Sequence, residues 1–389
     1  MPRRVVHVVH SLAVEFGGPA FSVPELALAQ SDLISEVRLL HRFPGAGDSI
    51  AAEDLLASRA GHRLLVERLS RWGQLDSAIG EADLVHVHGL WEITAYRAVR
   101  SASRHGVPYV IAPSGALRPD AIRRKGLKKR IALALEFRRR LQQAAALHAT
   151  SLQEAREMRA LGLELPIAAI PIGIHIDQFS GSADSDLLGS RWPELRGKRR
   201  LLFLGRIHPI KGLENLAAAW GLVAPEAKDW QLVIAGPDEG GYRKRVEGAL
   251  SDAGVADRTT FTGEIRGEDK VRLLRESDGL VLPSFSENFG FCVCEALASG
   301  LPVIASRDTP WEGIEAERCG YWVESAIAPL ADGIRKLVHL EDRERRAKGE
   351  RGRAWVEREF TAEASARALT ALHSWILGGS RPDCVHLGT

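Results

Sequence analysis

Residues 282–306 decide the fold and read LPSFSENFGFCVCEALASGLPVIAS. An apolar strand runs into this stretch and ends at Pro283, and a short helix follows over about Phe291–Ser299. Gly300 ends that helix and Pro302 blocks its continuation, after which a second apolar strand begins. The order strand, loop, short helix, strand predicts one βαβ unit of a parallel sheet.

The same alternation of short β-branched runs and longer helical patterns extends along the whole chain and predicts an α/β protein. The predicted strands of the first half are 5–9, 37–41, 64–67, 84–88, 109–112, 147–150 and 167–170. Those of the second half are 200–204, 231–235, 259–262, 279–282, 302–305 and 320–323. Near-continuous apolar runs are typical of strands buried on both faces. We therefore expect two doubly wound, Rossmann-like parallel sheets facing a central cleft.

The domain boundaries follow from this rhythm. Residues 179–198 are rich in Ser, Gly and Asp without periodicity, which is typical of a linker. The predicted division is 1–178, the linker 179–198, and a second domain 199–358, with 359–389 as a C-terminal helix packing back on the first domain. The last ten residues are expected to be frayed.

Composition excludes membrane-spanning, collagenous, disulfide-stapled and disordered proteins. The chain has 389 residues, 45% hydrophobic and 26% charged, and 52 basic against 50 acidic residues give a net charge of +2. No run approaches the ~18 apolar residues of a spanning helix, and His7 and His10 interrupt the N-terminal apolar run. The four cysteines fit neither a disulfide framework nor a zinc site. The predicted location is the cytoplasm, with the inner face of the membrane as an alternative.

Glu287 and Glu295 are the first candidate site residues. Glu287 lies in the loop at a strand's carboxyl end, and Glu295 lies on the helix that follows. A carboxylate accepts two hydrogen bonds from adjacent sugar hydroxyls, and the N–H groups of residues 288–291 would bind an anion at the helix N-terminus. Two such carboxylates beside an anion site point to a nucleotide sugar. The alternative is an ordinary loop acid and an ordinary surface glutamate.

Residues 283–306 resemble the Glu-x7-Glu signature of retaining glycosyltransferases of family 4, which have the GT-B fold. The resemblance implies that Glu295 binds the donor ribose and that Glu287 contacts hydroxyls of the transferred sugar. It also implies that the amides of Asn288, Phe289, Gly290 and Phe291 meet the sugar and the diphosphate. In such enzymes the first domain binds the acceptor and the second binds the nucleotide sugar.

A second segment, FLGRIHPIKGL at residues 203–213, agrees with this interpretation. Arg206 and Lys211 follow a strand and would neutralise charge on a leaving diphosphate, as the family's Gly-Arg and Lys-Gly pair does. The alternative is two surface cations beside a turn. By the same resemblance, Gly205, Gly236 and Ile265 belong to the donor site, and backbone atoms near Ile265 meet the base.

In the first half, Gly17 and Gly18 follow the opening strand and would let the backbone approach an anion. His86 and His88 lie two apart on one strand, and His88 is a candidate for binding hydroxyls, with a satisfied core histidine as the alternative. A metal is not expected, because no third ligand is apparent. Many relatives have a histidine where this chain has Ser114, which is a weaker hydrogen-bonding group without cationic character.

Residues Arg123–Arg140 contain nine basic residues and one acid, with an apolar centre. Such a helix would lie on an anionic membrane surface, where a lipid-linked acceptor is found, or would simply be a solvated basic face. Nucleic acid is not expected as a partner, since no reading motif accompanies the charge.

The predicted function is transfer of a hexose-type sugar from a nucleoside diphosphate sugar to a hydroxyl of a glycan or lipid-linked acceptor. Retention at the anomeric carbon follows from the resemblance, and the predicted catalytic residues are Glu287, Arg206 and Lys211. No cofactor or metal is expected. The process, by family analogy, is synthesis of exopolysaccharide, O-antigen or lipopolysaccharide. Alternatives are a nucleotide-sugar epimerase, a sugar phosphorylase, and a partner subunit that binds nucleotide sugar without turnover.

Overall fold

A computed structural model describes residues 1–13, 16, 18–43, 63–118, 138–181 and 187–387. The chain divides into two compact units. The first unit comprises residues 1–174 together with 359–389, and the second comprises residues 175–358. Gly17 and most of the basic segment Arg123–Arg140 lie outside the described residues.

The first unit is built on one twisted sheet. Its described strands are β1 (Arg4–Ser11), β2 (Glu36–Phe43), β3 (Leu64–Arg68), β4 (Leu84–His88), β5 (Tyr109–Ala112), β6 (Ala146–Ala149), β7 (Ile167–Ala169) and β14 (Val385–His386). Their order is β14-β7-β6-β5-β4-β1-β2-β3. All neighbours are parallel except β14, which pairs antiparallel with β7. The chain reverses its direction of travel across the sheet between β1 and β4, where His7 lies beside His86.

Helices cover both faces of this sheet. They are α1 (Gly18–Ser31), α2 (Trp72–Gly80), α3 (Ile93–His105), α4 (Arg138–Gln142), α5 (Leu152–Ala160) and α14 (Ala362–Ile376). One core cluster joins the sheet to α1 and α14, and the other joins it to α2, α3 and α5. Buried β-branched and leucine side chains therefore point to both faces, as in doubly wound sheets.

The second unit repeats the plan with a six-stranded parallel sheet. Its strands are β8 (Arg199–Leu204), β9 (Trp230–Ala235), β10 (Thr259–Gly263), β11 (Gly279–Leu282), β12 (Val303–Ser306) and β13 (Gly320–Val323). The order β10-β9-β8-β11-β12-β13 places the change of direction between β8 and β11. In open parallel sheets, ligands bind outside the carboxyl ends of the strands at such a point.

The helices of the second unit follow its strands. They are α6 (Leu187–Arg191), α7 (Leu213–Val223), α8 (Arg243–Asp252), α9 (Gly267–Arg275), α10 (Phe291–Ala298), α11 (Gly313–Ala316), α12 (Ile327–Val338) and α13 (Asp342–Glu359). Short 3-10 turns occur at Ile176–Phe179, Pro193–Leu195, Pro209–Lys211 and Ala256–Arg258. Among the described residues, no helix is both long and apolar enough to cross a bilayer.

The predicted α/β class with two parallel-sheet units is confirmed, and every strand predicted above is present within two residues at each end. Two expectations differ from the structure. The tail expected to be frayed forms β14, whose backbone accepts from Arg159 at His386. The stretch 179–198 contains α6 and a 3-10 turn, and it buries Leu188 and Leu195.

Candidate functional site

The candidate site of the second unit lies where β8 and β11 run side by side. Two loops leave the carboxyl ends of these strands, residues 205–212 after β8 and residues 283–290 after β11. The loops contact each other directly, because the amide of Phe285 donates to the carbonyl of Ile210 at 2.8 Å. The segment that carries Arg206 and Lys211 and the segment that carries Glu287 are therefore in direct contact.

Gly212 fixes how closely the two loops approach. Its φ is +68°, in the left-handed region, and a Cβ at this position would lie 2.3 Å from the carbonyl oxygen of Pro283. Any other residue would therefore be strained and would push the loops apart.

Lys211 and Glu287 form an ion pair across these loops. The Lys211 Nζ lies 2.5 Å from the Glu287 Oε2, and only 12% and 16% of the two side chains are exposed. Ser284 donates to the same carboxylate oxygen at 3.3 Å. Two of the three residues predicted as catalytic thus contact each other in a mostly buried position.

Glu295 forms a second pair, with a lysine that the sequence analysis missed. Lys270 of α9 places its Nζ 2.6 Å from the Glu295 Oε1, and 12% of the Glu295 side chain is exposed. Lys270 carries no motif of its own, because it lies on the helix before β11 rather than in either signature segment.

Cys292 lies on the first turn of α10, between Glu287 of the preceding loop and Glu295 of the helix. Burial raises the pKa of its thiol to about 12. The charge of Lys211 acts to lower that pKa, and the carboxylates of Glu287 and Glu295 act to raise it. The charges of Lys211, Glu287 and Glu295 therefore all act on this residue of the first turn of α10.

The N-terminus of α10 opens at the same place. Gly290 is the N-cap residue and supplies no side-chain cap, and the first turn contains no acid. The first N–H groups of a helix have no partner within the helix and favour an anion. The preceding loop is anchored by Trp311, whose indole N–H donates to the Phe289 carbonyl at 2.5 Å. Phe289 packs on Phe291 with ring centroids 5.2 Å apart.

Arg206 lies at the end of β8 and forms an ion pair with Glu239. The two side chains are 58% and 44% exposed, so this pair is solvated, unlike that of Lys211. Glu239 follows β9 and was not among the predicted residues. Gly236 has φ +146°, and a Cβ there would lie 1.9 Å from the carbonyl of Gly205, so the β8 and β9 loops also meet closely. Ile265 follows β10 and is 9% exposed.

The first unit carries the remaining predicted residues, apart from Gly17, which lies outside the described residues. Gly18 is the first residue of α1. Ser114 follows β5 with φ +51°, a left-handed conformation that is uncommon for serine. The next amide, that of Gly115, donates to the buried Glu154 at 2.6 Å, which holds this turn in place.

His88 lies within a group of stacked histidines. It is 5% exposed, its ring stacks on His86 at 4.4 Å, and its Nε2 lies 2.9 Å from the His7 Nδ1. The argument that a third metal ligand is lacking is wrong, because nitrogens of His7, His86 and His88 lie within 4.8 Å of one another. The sequence alone does not reveal this group, because His7 joins it only through the parallel pairing of β1 with β4.

Comparisons with known proteins agree with this architecture. The model "Glycosyl transferase 4-like domain" matches residues 17–173, and "Glycosyl transferases group 1" matches residues 190–355. A D-inositol 3-phosphate glycosyltransferase of Paenarthrobacter aurescens is 29% identical over 62% of this chain and 60% of its own length. The lipopolysaccharide core biosynthesis mannosyltransferase LpsB of Rhizobium meliloti is 26% identical over 55% of this chain and 62% of its own. The matched regions therefore span less than two thirds of either relative.

The fold is also that of solved glycosyltransferase structures. HepE of Anabaena, in complex with UDP-glucose, superposes with a TM-score of 0.75 over 95% of this chain and 99% of its own, at 19% identity. Each family model covers most of one unit; the match to the first unit leaves out β1 and β14 of its sheet, and the match to the second unit includes all six strands. The first unit therefore matches the glycosyl transferase 4-like domain and the second unit matches the glycosyl transferases group 1 domain, on a fold shared with the GT-B glycosyltransferases.

Proposed function

We propose that the protein transfers a hexose-type sugar from a nucleoside diphosphate sugar to a hydroxyl of a glycan or lipid-linked acceptor, with retention at the anomeric carbon. One observation carries this proposal. The Lys211–Glu287 pair, Glu295 and the N-terminus of α10 converge where β8 meets β11. Cations, an open helix N-terminus and diol-binding carboxylates together match a sugar diphosphate.

The ion pairs suggest how the donor is bound. Before the donor enters, Glu287 neutralises Lys211 at 2.5 Å. A diphosphate oxygen competes with Glu287 for that ammonium, and the carboxylate then accepts hydrogen bonds from sugar hydroxyls. Binding thus exchanges one ion pair for two sets of contacts, without leaving a charge unpaired in a mostly buried position.

Departure of the diphosphate is the step that needs positive charge. Lys211 and Arg206 stabilise the charge that builds on the leaving oxygens, and the amides of residues 288–291 contribute at the N-terminus of α10. In this proposal Glu295 holds the ribose, Gly205 and Gly236 allow close backbone approach, and Ile265 lies beside the base. Side chains and amides supply all the stabilisation, so the mechanism uses no metal.

The proposed process is assembly of a bacterial surface polysaccharide or lipopolysaccharide. Support for this process comes from the relative LpsB, which is a lipopolysaccharide core biosynthesis mannosyltransferase. The basic segment Arg123–Arg140 is proposed to hold the protein at a membrane that carries the acceptor.

The first test is thermal unfolding with UDP, GDP, ADP and their common sugar conjugates. A ligand that binds only the folded protein stabilises it by about 2.7 kcal/mol at 100 times its Kd. We expect one base to be preferred, and we expect Glu295→Ala and Arg206→Ala to abolish the shift. Glu226→Ala is the matched control. It breaks the exposed Glu226–Arg335 pair on the connection that leads into the amino end of β9, and should leave the shift intact.

The second test follows a labelled nucleotide sugar and assigns the anomeric configuration of the product by NMR. A transferred sugar of unchanged configuration supports the proposal. Inverted product, an epimerised free nucleotide sugar, or binding without consumption would each overturn it in favour of another activity. Absence of any nucleotide-dependent stabilisation would overturn the donor site itself.

A further inference from the structure

A group of buried histidines lies in the first unit. Each member is between 0% and 5% exposed, and all lie on the face of the sheet that α1 and α14 cover. We call this group the histidine cluster; it consists of His7, His86, His88, His148 and His373. Apolar side chains would fill this space without polar atoms, whereas each buried imidazole brings two nitrogens that need hydrogen-bond partners.

The cluster begins at a backbone carbonyl. The Nε2 of His148 lies 2.9 Å from the carbonyl oxygen of Ile170, and its Nδ1 lies 3.3 Å from the Nε2 of His86. The Nδ1 of His86 lies 3.2 Å from the Nε2 of His373 on α14. Three rings are therefore joined in series from the carbonyl of Ile170.

Gln30 of α1 continues the series. Its Nε2 lies 3.2 Å from the Nδ1 of His373, and its Oε1 lies 2.7 Å from the Nε2 of His7. The Nδ1 of His7 lies 2.9 Å from the Nε2 of His88. The Nε2 of Gln30 also donates a hydrogen bond to the Oγ1 of Thr370 at 3.3 Å, as a side branch of the series. Six hydrogen bonds thus connect Ile170 to His88 without interruption.

The rings are neutral. Burial is the largest cause that lowers the pKa of His7 and of His148 to about 4, and it holds the pKa of each other member well below the usual value. Within the described chain, the hydrogen-bond partners of these rings are one another, Gln30 and the Ile170 carbonyl, and none is a carboxylate. A neutral imidazole carries one donor nitrogen and one acceptor nitrogen.

These facts give the series a single direction. A carbonyl oxygen only accepts, so His148 donates from Nε2 and its Nδ1 must accept from His86. In the same way, the Nδ1 of His86 accepts from the Nε2 of His373, and the Nδ1 of His373 accepts from the amide nitrogen of Gln30. The amide oxygen of Gln30 accepts from the Nε2 of His7, whose Nδ1 accepts from His88. Each ring is then the Nε2–H tautomer. The last ring, His88, donates to His7 and keeps an Nδ1 lone pair with no hydrogen-bond partner among the described residues.

His88 is the last residue of β4, at the change of direction between β1 and β4. This is the edge of the first sheet where a ligand is expected. The series therefore ends in an acceptor atom, the Nδ1 of His88, at the edge of the sheet where a ligand is expected.

We propose that the histidine cluster and Gln30 form one directed hydrogen-bond chain that fixes the tautomer of His88, so that its Nδ1 accepts a hydrogen bond from a hydroxyl of the bound substrate. Gln30, His7 and His373 are positioning residues that act through His88. The choice of a sugar or acceptor hydroxyl as the ligand rests on the proposed function, but the fixed tautomer does not.

A metal ion is the rival occupant of these rings. Ligation by His7, His86 and His88 would need a lone pair from each, which at Nε2 would break the hydrogen bonds that join them. Metal content therefore belongs in the test as an outcome that would overturn the directed chain.

The test is NMR of the protein labelled with 15N at the histidine rings, because ring nitrogen shifts distinguish Nε2–H, Nδ1–H and charged imidazole. At pH 7 we expect all five buried rings to be Nε2–H. Gln30→Leu cuts the chain in the middle. His148, His86 and His373 should keep their tautomer, since Ile170 still sets it, whereas His7 and His88 should become mixtures.

Thr370→Val is the matched control, because it removes the side branch to Gln30 and leaves the six bonds in place. A structural role alone would not give effects on one side of Gln30 only. An Nδ1–H ring in the wild type, a uniform change of all five rings in Gln30→Leu, or one bound transition-metal ion per chain by elemental analysis would overturn the chain.

The ligand is tested separately with UDP-glucose and GDP-mannose, against UDP and GDP alone. A shift at the His88 Nδ1 with the nucleotide sugar alone supports a hydroxyl of the transferred sugar. A shift that appears only when a glycan acceptor is added supports an acceptor hydroxyl, and Gln30→Leu should weaken either contact by roughly two- to fivefold. No shift under saturation overturns the hydroxyl contact. If no nucleotide binds at all, the proposed function fails while the tautomer result still decides the chain.

Discussion

Gly212 shows how much the candidate donor site depends on a residue without a side chain. The loop after β8 turns at Gly212 in the left-handed region and passes close to the backbone of Pro283. That approach places Lys211 against Glu287. A substitution at Gly212 therefore acts on the ion pair without touching either charged residue.

Gly212→Ala should destabilise the protein and weaken nucleotide binding. The left-handed conformation costs a non-glycine residue roughly 1–2 kcal/mol, and overpacking against Pro283 adds about 1–3 kcal/mol. The measurement is the free energy of unfolding in urea, together with the thermal shift given by the preferred nucleotide.

Gly240→Ala is the control for that substitution. Gly240 has φ +71°, close to the +68° of Gly212, but a Cβ there has no atom within 4 Å. It should lose only the conformational part and keep nucleotide binding. Equal losses in the two variants would mean that the contact with Pro283 contributes nothing.

Some residues of the candidate site were predicted from the sequence, and their ion-pair partners were not. Glu287, Glu295, Arg206 and Lys211 could be found because they stand in segments with recognisable spacing. Their partners Lys270 and Glu239 could not, since each belongs to another βα unit and is brought near only by the order of strands in the sheet.

At the scale of elements, the loop before α10 is held from outside by Trp311. This side chain is 1% exposed, donates to the Phe289 carbonyl, and packs against Phe289 and Trp355. The loop therefore presents the N-terminus of α10 in one fixed position, which a preorganised anion site requires.

Trp311→Phe should cost roughly 1–3 kcal/mol of stability, because it removes the donor to a buried carbonyl. Nucleotide binding should weaken as the loop loosens. Unfolding in urea and titration with the preferred nucleotide measure the two effects.

The matched control is Trp322→Phe, the same change at a buried indole N–H that has no hydrogen-bond partner among the residues that the structure describes. It should leave nucleotide binding unchanged and destabilise by less than Trp311→Phe. If the two variants behave alike, the hydrogen bond to Phe289 does not hold the loop.

Most elements were predictable because buried strands and helices have recognisable apolar patterns in the sequence. Strands such as β9 and β11 are continuous apolar runs, and α10 is bounded by Gly290 and Gly300. β14 was missed because two residues have no periodicity, and its pairing depends on β7 over 200 residues earlier. α6 was missed because its Ser- and Gly-rich surroundings resemble a linker.

At the scale of the whole molecule, the histidine cluster makes folding depend on pH. The folded pKa of His7 and His148 is about 4, and those of the other members are lowered too, against about 6.5 in the unfolded chain. The unfolded state therefore binds more protons below pH 6.5. Stability from the cluster is complete above pH 6.5 and is lost as the pH falls towards 4.

Each histidine contributes up to about 1.4 kcal/mol per pH unit to that loss. We expect the unfolding free energy to fall between pH 6.5 and 4.5 with a slope of several protons. In His373→Gln the slope should be smaller by about one proton. Thr370→Val removes no titrating group and should keep the wild-type slope. An identical slope in His373→Gln would show that His373 binds its proton in the folded protein as readily as in the unfolded chain.

This cluster was beyond sequence analysis for a simple reason. Its hydrogen bonds join residues up to 343 positions apart, and no local pattern records which histidines will meet. Only His86 and His88 stood in a recognisable position, at the end of one strand.

The return of the last helix to the first sheet has a consequence for synthesis on the ribosome. The second unit is one uninterrupted run of chain, residues 175–358, whereas the first unit needs residues 359–389 as well. The half of the protein that emerges first is therefore completed last. Until Leu369, Leu372 and His373 have left the exit tunnel, the nascent sheet lacks the cover of α14 over His7 and Gln30. The nascent chain should consequently be a chaperone client for most of its translation, and its second unit should become protease-resistant before its first.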